Sequence, residues 1–277
     1  MIFQEFFAVA FGDTLGLPWE KFFEIVLTPA RPGCIGGGNE TDSHLHRARH
    51  PARTTLGIFE TLEKQALTIK VNLKYNYIMK VLVGCEFSGI VRDCFSAMGH
   101  DAVSCDILPS DSPHGVHYQG DVIDVLYSNE WDLAILHPPC TYLASSGLHW
   151  NKRVPGRSEK TEEALRFITT LWNAPVEKMA IENPVGCINT RLDFMPKPQY
   201  VQPYNFGEDA SKKTGLWIRG LPFLEPTEYI EPRMVNGKPR WGNQGDTGYD
   251  KFGGGQGHER SKTFFGIAAA MADQWGS

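Results

Sequence analysis

The chain is short of paired cysteines, of membrane-length apolar runs and of positive charge. Its six cysteines include no C-x-x-C pair and no repeating spacing. That argues against a structural zinc site or a disulfide framework and fits a reducing cytoplasm. No uninterrupted apolar stretch is long enough to span a bilayer. The opening Met1-Ile2-Phe3-Gln4-Glu5 lacks a basic leader region, so it does not read as a signal peptide. Net charge is −5, which gives no general affinity for polyanions. With 42% hydrophobic and 21% charged residues among 277, the chain is globular, with enough apolar material for a full-sized core.

Charge distribution says more than its total. Thr141 to Arg157 holds Lys152, Arg153 and Arg157 with no acid, and Arg233 to Trp241 holds Arg233, Lys238 and Arg240 with none. Taken singly, such loops are ordinarily solvated surface. The first directly follows a cysteine at a strand end, which points it toward a phosphate-bearing substrate.

The composition breaks near residue 79. Residues 1–78 offer a helix within Phe6–Leu27, another near Leu56–Ala66 and the apolar alternation Ile69–Leu73. Between the two helices lies a Gly/His/Arg-rich stretch without periodicity, expected to be poorly ordered. His44 and His46 lie in this stretch and read as solvated. The segment reads as an extension that catalysis does not require, and Met79 as a start in its own right. From Met79 onward strand and helix signatures alternate. Lys80–Cys85 reads as a strand, Ile90–Met98 as a helix ended by Gly99, and Ala102–Cys105 as a strand ending at Asp106. A short strand around Val116–Tyr118, a helix Val122–Tyr127 and the apolar run Trp131–Leu136 follow. A helix Glu159–Trp172, a strand Lys178–Ile181, strands near Tyr200 and Gly215–Ile218, and a last helix Gly266–Trp275 complete the series. This alternation predicts an α/β fold with a doubly wound, mostly parallel sheet.

In such sheets ligands bind beyond the carboxyl ends of the strands. Gly89, Asp106, Asp121 and Cys140 each follow one of four successive strands. Gly89 allows a ligand to approach a helix start, and Asp106 stands where Rossmann-like folds hold ribose hydroxyls. His137-Pro138-Pro139-Cys140 puts a thiol after one strand, and Met179-Ala180-Ile181-Glu182-Asn183-Pro184 puts a carboxylate after another, with Asn183-Pro184 predicting an abrupt turn. A thiol and an acid facing one crevice suit covalent attack on an electron-poor ring.

Over residues 80–277 these motifs resemble, in order, the DNA cytosine-5 methyltransferase family, in its short, divergent bacteriophage and prophage form. The resemblance implies a Rossmann-like S-adenosylmethionine-dependent methyltransferase fold and a cytoplasmic location in a bacterium or a phage-infected host. It implies S-adenosylmethionine held by Phe87, Ser88, Gly89, Asp106, Ile107, Asp121, Val122, Pro139 and Ser261. Cys140 would be the nucleophile and Glu182 the acid. Asn183, Lys152, Arg153, Arg157, Lys212, Lys213 and Thr214 would contact DNA. Val91 stands where the family places a second glycine, and Lys212-Lys213-Thr214 where it places Arg-x-Arg. Residues 221–259 are short for a target-recognition segment, and their Gly242–Gly257 run reads as a loop. A monomer without metal is expected. The alternatives are an amino-group methyltransferase acting on cytosine N4 or adenine N6, and an inactive nucleic-acid-binding relative.

Overall fold

The computed structural model describes residues 77–248 and 257–277. The expected helices within Phe6–Leu27 and near Leu56–Ala66, the Ile69–Leu73 alternation and the His44/His46 pair lie outside the described residues.

Seven strands form one sheet. They are β1 (Lys80–Gly84), β2 (Asp101–Asp106), β3 (Val116–Gln119), β4 (Leu133–Leu136), β5 (Lys178–Pro184), β6 (Gln199–Val201) and β7 (Thr214–Arg219). Their order is β3-β2-β1-β4-β5-β7-β6. The first five run parallel, and β7 is antiparallel to both β5 and β6. The doubly wound, Rossmann-like α/β fold predicted from sequence is what forms. Strand order reverses between β1 and β4, and the crevice of an open sheet lies at such a reversal.

Both faces of the sheet's centre are covered, which is why the central strands β1 and β4 are almost continuously apolar. The period of two sorts their side chains. Val81, Val83, Leu133, Ile135 and Ala180 join one core with α1 (Ile90–Ala97) and α7 (Phe265–Trp275), the last centred on the buried Trp275. Leu82, Ala134, Leu136, Met179 and Ile181 join the other, with α2 (Val122–Ser128) and α4 (Arg157–Trp172).

The segment after β4 is ordered, with α3 (Ser145–Leu148) and a 3-10 turn (His149–Lys152) leading into α4. α5 (Ile188–Arg191) follows β5. Within 221–248 a hairpin pairs β8 (Arg233–Val235) with β9 (Lys238–Arg240). Its turn is Asn236-Gly237, both at positive φ, the pair that two-residue hairpins favour. α6 (Gly257–Ser261) precedes α7.

One boundary differs from expectation in a way that matters for the site. β5 does not stop at Ile181. Its pairing with β7 continues through Glu182↔Leu216, Asn183↔Gly215 and Pro184↔Thr214. Glu182 and Asn183 are therefore consecutive strand residues and point to opposite faces of the sheet.

Candidate active site

The register builds the site. Gly84 pairs with Cys105 on one side and Leu136 on the other, and Leu136 pairs with Ile181. One step further along the strands, Asp106, Cys85, His137 and Glu182 line the carboxyl edge of the sheet.

On β4, His137 continues the face of Leu133 and Ile135; on β5, Glu182 continues the face of Ala180. The two therefore meet, with His137 Nδ1 lying 3.1 Å from Glu182 Oε2. Thr263 Oγ1 also approaches Nδ1, at 3.5 Å, whereas His137 Nε2 is buried with no hydrogen-bond partner among the described residues. Glu182 borders a small cleft with Lys212, Thr214, Leu216, Thr263 and Phe264. Burial by itself would raise the Glu182 pKa. The hydrogen bond and charge of His137, with the charge of Lys212, outweigh it and hold the carboxyl below its ordinary value.

Cys140 stands beyond the two prolines and is exposed as a residue. The protein around its sulfur still raises the thiol, burial first and the Glu182 carboxylate second. Lys212, a backbone hydrogen bond and Arg260 pull the other way without reversing it. Thiol, carboxylate and the Lys212 ammonium thus share one electrostatic neighbourhood.

Asn183, on the opposite face, is 1% exposed. Its Nδ2 donates to the Pro138 carbonyl at 2.8 Å, and its Oδ1 has no partner among the described residues. That geometry makes Asn183 a brace for the Pro-Pro turn, because strand alternation turns it away from Glu182. Lys212 Nζ donates to the Arg260 carbonyl at 2.9 Å, and Lys213 lies over the Tyr200 ring, 4.2 Å from its centroid. Thr214 is buried as the first residue of β7. Arg157 is drawn inward, donating to the Thr141 carbonyl at 2.9 Å and lying over the Tyr142 ring. It therefore ties down the segment after Cys140. Lys152 and Arg153 are exposed, with Arg153 beside the half-exposed Trp150.

At the other end of the crevice, Gly89 adopts φ +75, and a Cβ there would fall 2.4 Å from the Arg92 guanidinium. No side chain at Gly89 caps α1. Glu86 does so instead, accepting from Val91 N at 2.8 Å and Arg92 N at 3.4 Å, and Ser88 Oγ donates to the same carboxylate. The helix start is thus satisfied internally. Phe87 is buried with its ring 4.4 Å from that of His258 on α6, so the turn presents backbone more than side chain. Asp106 Oδ1 accepts from Leu108 N and Asp121 Oδ1 from Ile123 N, both at 2.9 Å. Asp121 is the N-cap of α2. Each keeps Oδ2 without a protein partner among the described residues. Ile107 beside Asp106 is 75% exposed, an apolar surface at a strand end. Two free carboxylate oxygens and an apolar platform fit the hydroxyls and ring of an adenosine. Val122 differs from expectation. Its side chain is in the core over Gly84, where an added Cβ would fall 2.5 Å from Val122 Cγ2, and only its backbone is left to a ligand. Pro139 is exposed, and Ser261 Oγ donates to the His258 carbonyl within α6.

From sequence, His137 carries no role beyond its place in the Pro-Pro-Cys motif, and Glu86 none at all. The available signal for His137 was parity: it continues the Leu133/Ile135 face as Glu182 continues that of Ala180. Glu86 carried no comparable signal, since its role depends on the turn folding back onto α1.

No protein-family model matches the chain, and no curated protein sequence does. Among solved structures it is similar to the bifunctional kinase-methyltransferase WbdD, at 13% identity and a TM-score of 0.34, over 69% of this chain and 43% of that one. It is similar to an rRNA methylase from Escherichia coli at 13% identity and 0.31, over 59% and 66% of the two chains. A magnesium protoporphyrin IX methyltransferase from Synechocystis PCC 6803, solved with bound S-adenosylmethionine, gives 11% identity and 0.32, over 76% and 94%. The chain spans less than half the length of WbdD.

Proposed function

We propose that the protein is an S-adenosylmethionine-dependent methyltransferase acting on C5 of cytosine in DNA. The observation that carries this reading is the exposed Cys140 thiol within the field of the largely buried Glu182 carboxylate, across adjacent parallel strands. Asp106, Asp121, Ile107 and the backbone of Phe87–Gly89 would hold the cofactor on the β1–β3 side of the crevice. S-adenosylmethionine supplies the electrophilic methyl group.

The remaining steps belong to the chain. Cytosine C5 is a weak nucleophile until a thiolate adds at C6, and a duplex base must leave the stack to reach Cys140. Lys152, Arg153 and Trp150 follow the nucleophile at the surface and suit contact with the backbone of the opened strand. In the resting site Glu182 repels the thiolate. A base that donates its 4-amino group to the Glu182 carboxylate disperses that charge, so Cys140 ionises more readily once cytosine is seated. Lys212 and Arg260 then stabilise the thiolate. N3 takes a proton through Glu182 as sulfur bonds to C6, and C5 becomes nucleophilic enough to take the methyl group. Loss of the C5 proton, return of the N3 proton through Glu182 and expulsion of the thiolate complete the cycle.

The test is nucleoside mass spectrometry of DNA from cells expressing the chain or its Cys140→Ser variant. 5-Methylcytosine with the first and none with the second is expected. N4-methylcytosine or N6-methyladenine would replace this reading with amino-group transfer. Cofactor binding without any modified base would leave a non-catalytic binder.

A further inference from the structure

His137 sits between two carboxylates. On the β5 side its Nδ1 meets Glu182 Oε2 at 3.1 Å. Toward β1, Glu86 is close enough for the His137 charge to oppose the effect of burial on its carboxyl. Thr263, from the segment before α7, approaches the same Nδ1. Lys212, before β7, and Arg260, on α6, are the cations of this neighbourhood, acting on Glu182 and Cys140. Nε2 is enclosed, and among the described residues nothing hydrogen-bonds it. A buried imidazole with an unused nitrogen beside an acid is costly as structure alone. It is well suited to holding a proton, because either nitrogen can carry one.

We propose that His137 is a positioning residue that shares one proton with Glu182 and supplies it through that carboxyl when the target ring takes it. The inference rests on the cytosine reading above. As Cys140 Sγ bonds to C6, the C5=C6 electron pair moves into the ring, and the one shared proton passes from His137 Nδ1 across the existing contact to Glu182 and on to N3, leaving Glu182 ionised and His137 neutral. When the C5 proton is lost and the thiolate leaves, N3 returns its proton to the pair. The pair is thus unchanged over a cycle.

Two variants of the full chain test this. His137→Asn keeps an N–H near the Nδ1 position but cannot carry the proton. His137→Gln moves the amide toward Nε2. Unchanged far-ultraviolet circular dichroism for at least one establishes a folded comparison. The first readout needs no substrate: the Glu182 carboxyl is titrated by 13C NMR. Loss of the imidazole charge should raise its midpoint by about one pH unit or more. An unchanged midpoint in a folded variant overturns the proposal. The second readout is the pH profile of adduct formation with a 5-fluorocytosine oligonucleotide. The descending limb reports loss of the shared proton. It should move to lower pH in the variants, each unit costing about tenfold in rate above it. A lowered rate with an unshifted limb makes His137 merely structural and overturns the proposal. A wild-type chain that forms no adduct at any pH overturns the cytosine reading instead, and the carboxyl titration still decides whether His137 and Glu182 share a proton.

Discussion

Asn183→Ala separates a brace from a substrate clamp. The substitution removes a 2.8 Å hydrogen bond to the Pro138 carbonyl in a buried setting. Leaving a buried carbonyl unpaired costs about 1–3 kcal/mol. The unpartnered Asn183 Oδ1 disappears at the same time, which recovers part of that cost. A net loss of about 1–2 kcal/mol corresponds to a fall in Tm of roughly 2–8 °C for a domain of this size. Pro138 is two residues before Cys140, so the same change loosens the nucleophile. A displacement of about 1 Å at a reacting group can cost about a hundredfold in rate. Scanning calorimetry and steady-state kinetics should therefore show a lowered Tm and kcat with KM nearly constant. Asn183→Asp should be worse than Ala, since it sets a buried carboxylate against a carbonyl. An unchanged Tm with a raised KM would refute the brace and return Asn183 to the substrate.

Three further outcomes follow from the electrostatics and the caps. Glu182 raises the Cys140 thiol, so Glu182→Gln should let thiolate form at lower pH and speed iodoacetamide labelling of Cys140 near pH 7.5, read by intact mass; slower labelling would contradict the coupling. Burial raises the Glu86 carboxyl, so its contribution is fully present below its unfolded pKa and is lost as pH rises through the higher folded value. Glu86→Gln should then gain stability relative to wild type as pH rises above the unfolded carboxyl's pKa in urea titrations, and a gap that does not change with pH would count against this. Asp121→Ala should cost about 1 kcal/mol of stability through the lost cap and also weaken S-adenosylmethionine binding by calorimetry, whereas a purely capping Asp121 would leave cofactor affinity unchanged.

Local signals determined a great deal about this protein. Apolar runs stopped by glycine, proline and acid place the seven strands of the main sheet and its four longer helices to within a few residues, because strand and helix periods are local properties of the chain; the β8–β9 hairpin and the short helices carry too few residues to show a period. Their alternation determines a doubly wound sheet, and the ends of those strands pick out Gly89, Asp106, Asp121 and Cys140. The tertiary structure alone decided how far β5 runs. Asn183-Pro184 looks like a turn in isolation, but pairing with β7 keeps it extended, since an antiparallel partner supplies hydrogen bonds that no local signal announces. From that extension follows the parting of Glu182 from Asn183 to opposite faces. Register, which depends on residues far apart in sequence, decided that Glu182 meets His137. The same holds for Val122, read as a cofactor contact until Gly84 left room for its side chain in the core, and for Glu86, whose carboxylate caps α1 only once the turn has closed. Composition and period act over a few residues; partners across a sheet are selected by the whole fold.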